Sequence, residues 1–164
     1  MHILPSHSPS NLFLPAPMID FYASSPKVAR RLRAVNITTW CTAFAGSLFA
    51  VFQFADPTPG AWRVALSNAV GATGLAAIPL LHRYGSWAAP AGSAAWIYIY
   101  IFVVCYQIGT DTGMPMQYLA VASAAILLLG TDHRRLIWCF ATAAAAMIIA
   151  LRVLVPHNTG LFSD

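Results

Sequence analysis

Between Asn36 and Val155 the chain is a succession of apolar runs of about twenty residues, each broken by a short polar turn. A helix rises ~1.5 Å per residue, so a run of that length crosses the ~30 Å hydrocarbon core of a bilayer. Inside hydrocarbon each backbone N–H and C=O needs a partner from the chain itself, and for long continuous apolar runs that partner comes from helix formation. The runs cover residues 36–55, 62–81, 86–108, 114–130 and 135–155. The expected fold is therefore all-α, a polytopic transmembrane helical bundle of about five spans occupying 34–158. Residues 1–33 are expected to form a cytoplasmic tail ending in a basic juxtamembrane helix, and 159–164 a short outer tail.

Composition narrows the function classes. Charged residues make up 9% of the chain and hydrophobic ones 59%, where a soluble domain carries about 25% charged. The spans consume most of the 164 residues, which leaves no room for a separate soluble catalytic domain. The net charge is +4, but the cations gather near span ends without interleaved aromatics, so nucleic acid is not an expected partner. The lipid bilayer is. Cys41, Cys105 and Cys139 all lie in apolar runs without metal-ligand spacing, and read as small reduced packing residues.

The turns carry the local signals. Residues 1–24 hold four prolines and no basic residue ahead of their apolar patches, which does not make a convincing signal peptide. Ser25-Pro26 reads as an N-cap with proline at the first helical position, opening a helix that carries Lys27, Arg30, Arg31 and Arg33. Thr131-Asp132 is the corresponding cap before the fifth span. Asp56 to Gly60 turns the chain between the first two spans, His82 to Gly85 between the next two, and Gly109 to Pro115 between the third and fourth. Thr42, Gly46 and Ala50 form a small-residue stripe, and the run Ala143 to Ala146 likewise permits close helix contact. Asn68 is expected to bond to a neighbouring helix, and the aromatic residues of span three, Tyr98 and Tyr106 among them, to serve packing and interfacial anchoring. Span four is short enough to cross with little tilt.

Orientation follows from charge. With the N-terminus cytoplasmic, Lys27, Arg30, Arg31, Arg33, Arg83, Arg134 and Arg135 lie inside and only Arg63 and Arg152 near the outer ends, a positive-inside bias. This places the protein in the inner or plasma membrane as a multi-pass chain with the Gly109 loop outside, along with Asp56, His157 and Asp164. His82 and His133 then read as residues of the inner interface.

Few residues are candidates for chemistry. Arg152 sits in the last turns of span five, where a charge must snorkel or pair, and Asp111 and Asp56 are its candidate partners. Asp56, Asp111, Arg152 and His157 together form the candidate outer sensing or ion-pair group, and with Asp164 the acids and histidine suggest a cation site as a lesser alternative to solvated loop acids. The chain has no glutamate. No pair of carboxylates, nucleophile with base or phosphate-binding glycine loop is present, so no catalytic, cofactor or metal residues are assigned.

Several stretches together resemble a known family. Phe21-Tyr22-Ala23 with Val28-Ala29-Arg30-Arg31, the segment Ile78-Pro79-Leu80-Leu81-His82-Arg83-Tyr84-Gly85, Gly109-Thr110-Asp111-Thr112-Gly113, and Leu154-Val155-Pro156-His157-Asn158-Thr159-Gly160-Leu161 are similar, in order and spacing, to the membrane domain of mycobacterial-type class III adenylate cyclases. The resemblance implies a six-span anchor and sensor leading through a coiled segment to a cytoplasmic cyclase domain. That domain works as a dimer and makes cyclic AMP from ATP with two divalent metal ions, Mg or Mn. The sequence in hand ends after the fifth run, so it corresponds to the N-terminal part only, and no catalytic residue of the family has a counterpart here. The implied role is a membrane anchor and transducer, homodimeric through its helices. An outer stimulus of unidentified chemistry, acting on the loops around Asp111 and His157, would shift helix packing. The alternatives are a self-contained five-span protein, such as a small transporter or accessory subunit, and a sensor bundle serving another output.

Overall fold

The computed structural model describes residues 26–129 and 133–159. The expected tail at 1–24, the Ser25 and Thr131-Asp132 caps, and the end of the chain from Gly160 to Asp164 lie outside the described residues. Among the described residues five α-helices follow in order: α1 (Pro26–Phe54), α2 (Ala61–Ala77), α3 (Ala88–Ile108), α4 (Gln117–Leu129) and α5 (Arg134–Leu154). A 3-10 segment, Ile78–Tyr84, extends α2, and a single 3-10 turn, Met114–Met116, leads into α4. Proline lies in the first two positions of both segments, where the missing N–H costs no helical bond. The described residues contain no strand. The molecule is thus an all-α membrane bundle. Helix α1, α2 with its extension, α3 and α5 are each long and apolar enough to cross a bilayer, while Met114–Leu129 is a shorter apolar helix.

Helix α3 is the centre. Half of its most apolar stretch is buried, against 11% for α5. On the α2 side it is seated by two glycines. The Trp96 ring lies where a Cβ on Gly74 would fall, 2.1 Å from Cε2, and the Tyr100 ring lies 2.6 Å from the corresponding point on Gly71. Trp96 Nε1 then donates to the Gly71 carbonyl at 3.0 Å, so a large, half-buried apolar ring has its polar tip satisfied. On the other side Tyr98, Tyr118 and Phe140 meet edge to face, with centroids 5.0 and 5.9 Å apart. Tyr118 donates to the Tyr98 carbonyl and Tyr98 to the Phe140 carbonyl, both at 2.9 Å, tying α3, α4 and α5 together.

Helices α1 and α2 form an antiparallel hairpin. A Cβ on Gly46 would meet Ala72 Cβ at 3.4 Å, ordinary contact, and Ala43 and Ala50 are buried beside it. Small side chains let the two backbones approach closely, which is what holds helices together where lipid removes the hydrophobic drive. Thr42 is exposed at the end of that stripe.

Two expectations are corrected and a third is narrowed. His82 is not an interfacial residue: it is 4% exposed, with Nε2 2.6 Å from Asn36 Oδ1, because the tight 3-10 extension turns it inward toward α1. Cys41 and Cys139 do not pack as small core residues; only Cys105 is buried and the other two are exposed, since they fall on the outward faces of the two peripheral helices. The alanine run of α5 packs on one side alone, with Ala144 buried and Ala145 and Ala146 exposed, as helical rotation of 100° per residue requires.

Candidate functional site

At one end of the bundle, opposite the basic end, the loop after α3 and the segment after α5 are joined. Gly109 stops α3 with φ 92° and ψ 173°, its N–H capping the Cys105 carbonyl at 2.8 Å. Gly113 (φ 76°) reverses the chain again, and Met116 N–H donates back to Gly113 at 3.0 Å. Helix α5 ends at Val155 in an extended conformation, since Pro156 restricts the residue before it to that region. The extended segment then runs along the loop. Thr110 N–H donates to the Pro156 carbonyl at 3.4 Å and Asp111 N–H to the His157 carbonyl at 3.0 Å. Thr159 Oγ1 donates to the Gln107 carbonyl at 2.7 Å.

Gly109 makes this approach possible. A Cβ there would lie 2.5 Å from the His157 carbonyl oxygen and 3.0 Å from Asn158 Cα. Backbone contact that close excludes any side chain, and the positive φ independently favours glycine.

The side chains above this backbone junction are open to water. His157 Nδ1 lies 3.5 Å from Asp111 Oδ1, with the two side chains 72% and 70% exposed. Thr110 Oγ1 is also 3.5 Å from His157 Nδ1. An exposed pair of this kind contributes about 0–1 kcal/mol, so the backbone bonds, not the ion pair, hold the junction. Asp56 stands elsewhere, in the α1–α2 turn, where its Oδ1 accepts from Thr58 N–H at 2.8 Å. Hydrogen bonds from the Thr58 hydroxyl and then its backbone hold the Asp56 carboxyl below the ordinary carboxylate range. Arg152 is exposed in the last turn of α5 and forms no ion pair among the described residues. Of the four residues singled out from sequence, the structure brings together Asp111 and His157, and leaves Asp56 and Arg152 apart. Among the described residues no three His, Cys, Asp or Glu side chains gather as a metal site.

Sequence reasoning missed what lies directly beneath. Gln107, whose carbonyl receives Thr159, donates from Nε2 to Ser67 Oγ at 2.8 Å. About two turns away along α3, Tyr100 donates to Asn68 Oδ1, and Asn68 donates to Gln53 Oε1. The expected interhelical bond of Asn68 is thus a three-helix bridge. These isolated polar residues, 32 and 40 positions apart in the chain for the α2–α3 pairs, form two separate groups, one joining α3 to α2 beneath the junction and one joining α3, α2 and α1. A rare polar side chain at a helical position within an apolar run was the available signal; its partner was not.

The comparisons with known proteins bear on this arrangement. The MASE7 family model matches residues 22–164. Adenylate cyclases of Mycobacterium tuberculosis and Mycobacterium bovis are each 40% identical over 140 residues, covering 85% of this chain and 31% of theirs. The chain therefore spans about a third of the length of these curated relatives. No solved structure matches. The family match spans residues 22–164 and so contains both sides of the junction. The chain belongs to the MASE7 family of membrane-associated sensor domains.

Proposed function

We infer that this chain anchors and regulates a class III adenylate cyclase, passing a stimulus received at the Gly109–His157 junction to an output that makes cyclic AMP from ATP. The observation that carries the reading is the junction itself. It joins the loop after α3 to the segment after α5 by backbone bonds, carries exposed polar side chains, and lies over two hydrogen-bonded groups, Gln107 with Ser67 and Tyr100 with Asn68 and Gln53. Whatever shifts Asp111 or His157 moves the end of α5, the helix nearest in sequence to any following output, and acts beside the Gln107–Ser67 bond between α3 and α2. Interhelical hydrogen bonds in hydrocarbon favour discrete arrangements over gradual deformation, and Gln107 Oε1, buried without a partner among the described residues, leaves room for a second arrangement.

In this reading the N-terminus is cytoplasmic, the junction faces outward, and two copies act together as a homodimer. The catalytic metals belong to the output domain of the family, and no residue of this chain is assigned to them. Polar residues inside the bundle bond to each other instead of lining a common path, which favours a transducer over a transporter.

The test is a chimera in which this chain replaces the aligned region of the Mycobacterium tuberculosis relative. It is expected to be membrane-bound and to make cyclic AMP, and the D111A form is expected to keep basal activity while losing any change induced from outside. A chimera that folds in the membrane but makes none, while its parent does, would overturn the reading. Labelling of a T112C variant by a membrane-impermeant maleimide in intact cells tests the orientation, since Thr112 is exposed.

A further inference from the structure

Near the basic end, α1 and α4 diverge and leave a crevice of about 60 Å³ between them, floored by α3 and lined by Val35, Thr42, Ser93, Ile97, Ala124 and Leu128 among others. On this measure a single water needs about 10–15 Å³, so the space is several waters large. Its walls are largely apolar. Thr39 donates to the Val35 and Asn36 carbonyls, Thr42 to Thr38, and Ser93 to Pro90, all within their own helices. These three hydroxyl protons are thus spent locally, and apart from Thr38 the rest of the lining is aliphatic. Ala124 and Thr42 are exposed, so the crevice opens sideways into the hydrocarbon.

The charges around its inner end point to the rest of the occupant. Arg31 Nη1 donates to the Leu129 carbonyl at 2.9 Å, closing the crevice between α1 and the end of α4. Arg30, Arg33, Arg83, Arg134 and Arg135 are exposed at the same end. Arg134 and Arg135 occupy the first turn of α5. Exposed cations clustered at one end of a membrane bundle attract anionic lipid headgroups.

We propose that this crevice binds one acyl chain of an anionic glycerophospholipid, with its phosphate held by the arginines of the basic end. The site is separate from the junction at the other end of the bundle, and does not depend on the reading given to that junction. Bound lipid fills the gap between α1 and α4 and so links two helices that otherwise touch little.

The experiment uses the chain purified in mild detergent, supplied with equal palmitoyl-oleoyl phosphatidylglycerol and phosphatidylcholine, with retained lipid counted by native mass spectrometry. The unaltered chain is expected to retain one phosphatidylglycerol in at least tenfold preference to phosphatidylcholine. A124F and, from the opposite wall, T42L fill the crevice and are expected to lose that lipid at least tenfold, while A45F, on an exposed part of α1 outside the crevice, retains it. The paired change R134Q/R135Q is expected to keep a lipid but erase the preference. Size-exclusion profile and helical circular dichroism identify any variant that has not folded, in which case its opposite-wall counterpart decides. Equal retention of the two lipids by the unaltered chain, or equal loss in A45F and A124F, would mean ordinary annular lipid and overturn the proposal.

Discussion

Replacing Gly109 by alanine tests whether the junction is held by backbone approach. The structure supplies two separate costs. At φ 92° and ψ 173° the residue sits in a region populated almost only by glycine, a strain of about 1–3 kcal/mol for any other residue. The new Cβ would also lie 2.5 Å from the His157 carbonyl oxygen. Backbone cannot yield as a flexible side chain does, so the His157 segment must move off and release the Thr110 and Asp111 bonds. Two such bonds are worth about 0.5–1.5 kcal/mol each, which brings the total to about 2–6 kcal/mol. Each 1.4 kcal/mol is tenfold, so local opening becomes at least about twentyfold more frequent.

The assay is amide hydrogen exchange in lipid nanodiscs, read at Thr110 and Asp111. Gly113 provides the comparison: its φ is also positive, at 76°, but a Cβ there meets nothing within 4 Å. G113A therefore carries conformational strain, about 1–2 kcal/mol, without a clash. G109A is expected to lose protection at both amides, and G113A to keep it at Asp111. If the two variants exchange alike, the junction is not maintained by the close approach at Gly109, and the reasoning fails.

Three other expectations follow from single contacts. G74A drives a Cβ into the Trp96 ring, and the displaced ring gives up its bond to Gly71; overpacking of this kind costs about 1–3 kcal/mol, seen as a lowered thermal midpoint in detergent, whereas the exposed T73A should leave it within error. Y118F removes the donor to the buried Tyr98 carbonyl, with an expected loss of about 1–3 kcal/mol, and an unchanged midpoint would show that this carbonyl finds another partner. Asp56 has a depressed folded-state pKa, below its usual 3.8. The sign follows: its contribution is fully present above that usual value and is lost as pH falls through the lower folded value. The stability difference between the natural chain and D56N should therefore be constant from neutral pH to about pH 5 and shrink only in more acid solution; a difference that shrinks near neutrality would contradict the Thr58 cap.

Legibility from sequence differed by kind of feature. That Asn68 bonds between helices was readable, because an amide in hydrocarbon must find a partner, but Tyr100 and Gln53 were not, because several polar residues were equally eligible. The Gly109 loop was readable as a turn from its glycines and proline. Its union with the His157 segment was not, since those residues lie 46 or more positions away and no local pattern marks the pairing. His82 read as interfacial by its position beside Arg83, and its burial came from the inward rotation imposed by the 3-10 extension. Arg152 read as a candidate ion-pair partner, but the rotation of α5 leaves it exposed.

What the sequence by itself determined is the membrane class and the helical form: runs of some twenty apolar residues can satisfy their backbone in hydrocarbon only as helices, and the glycine and proline clusters must then lie between them. What only the tertiary structure decided is which faces meet. Lipid tails are as apolar as leucine, so a lipid-facing side chain and a core side chain look the same in the sequence. The centre of the bundle, the glycine seats for Trp96 and Tyr100, and the junction at Gly109 emerge only when the shapes of separate helices are fitted to one another.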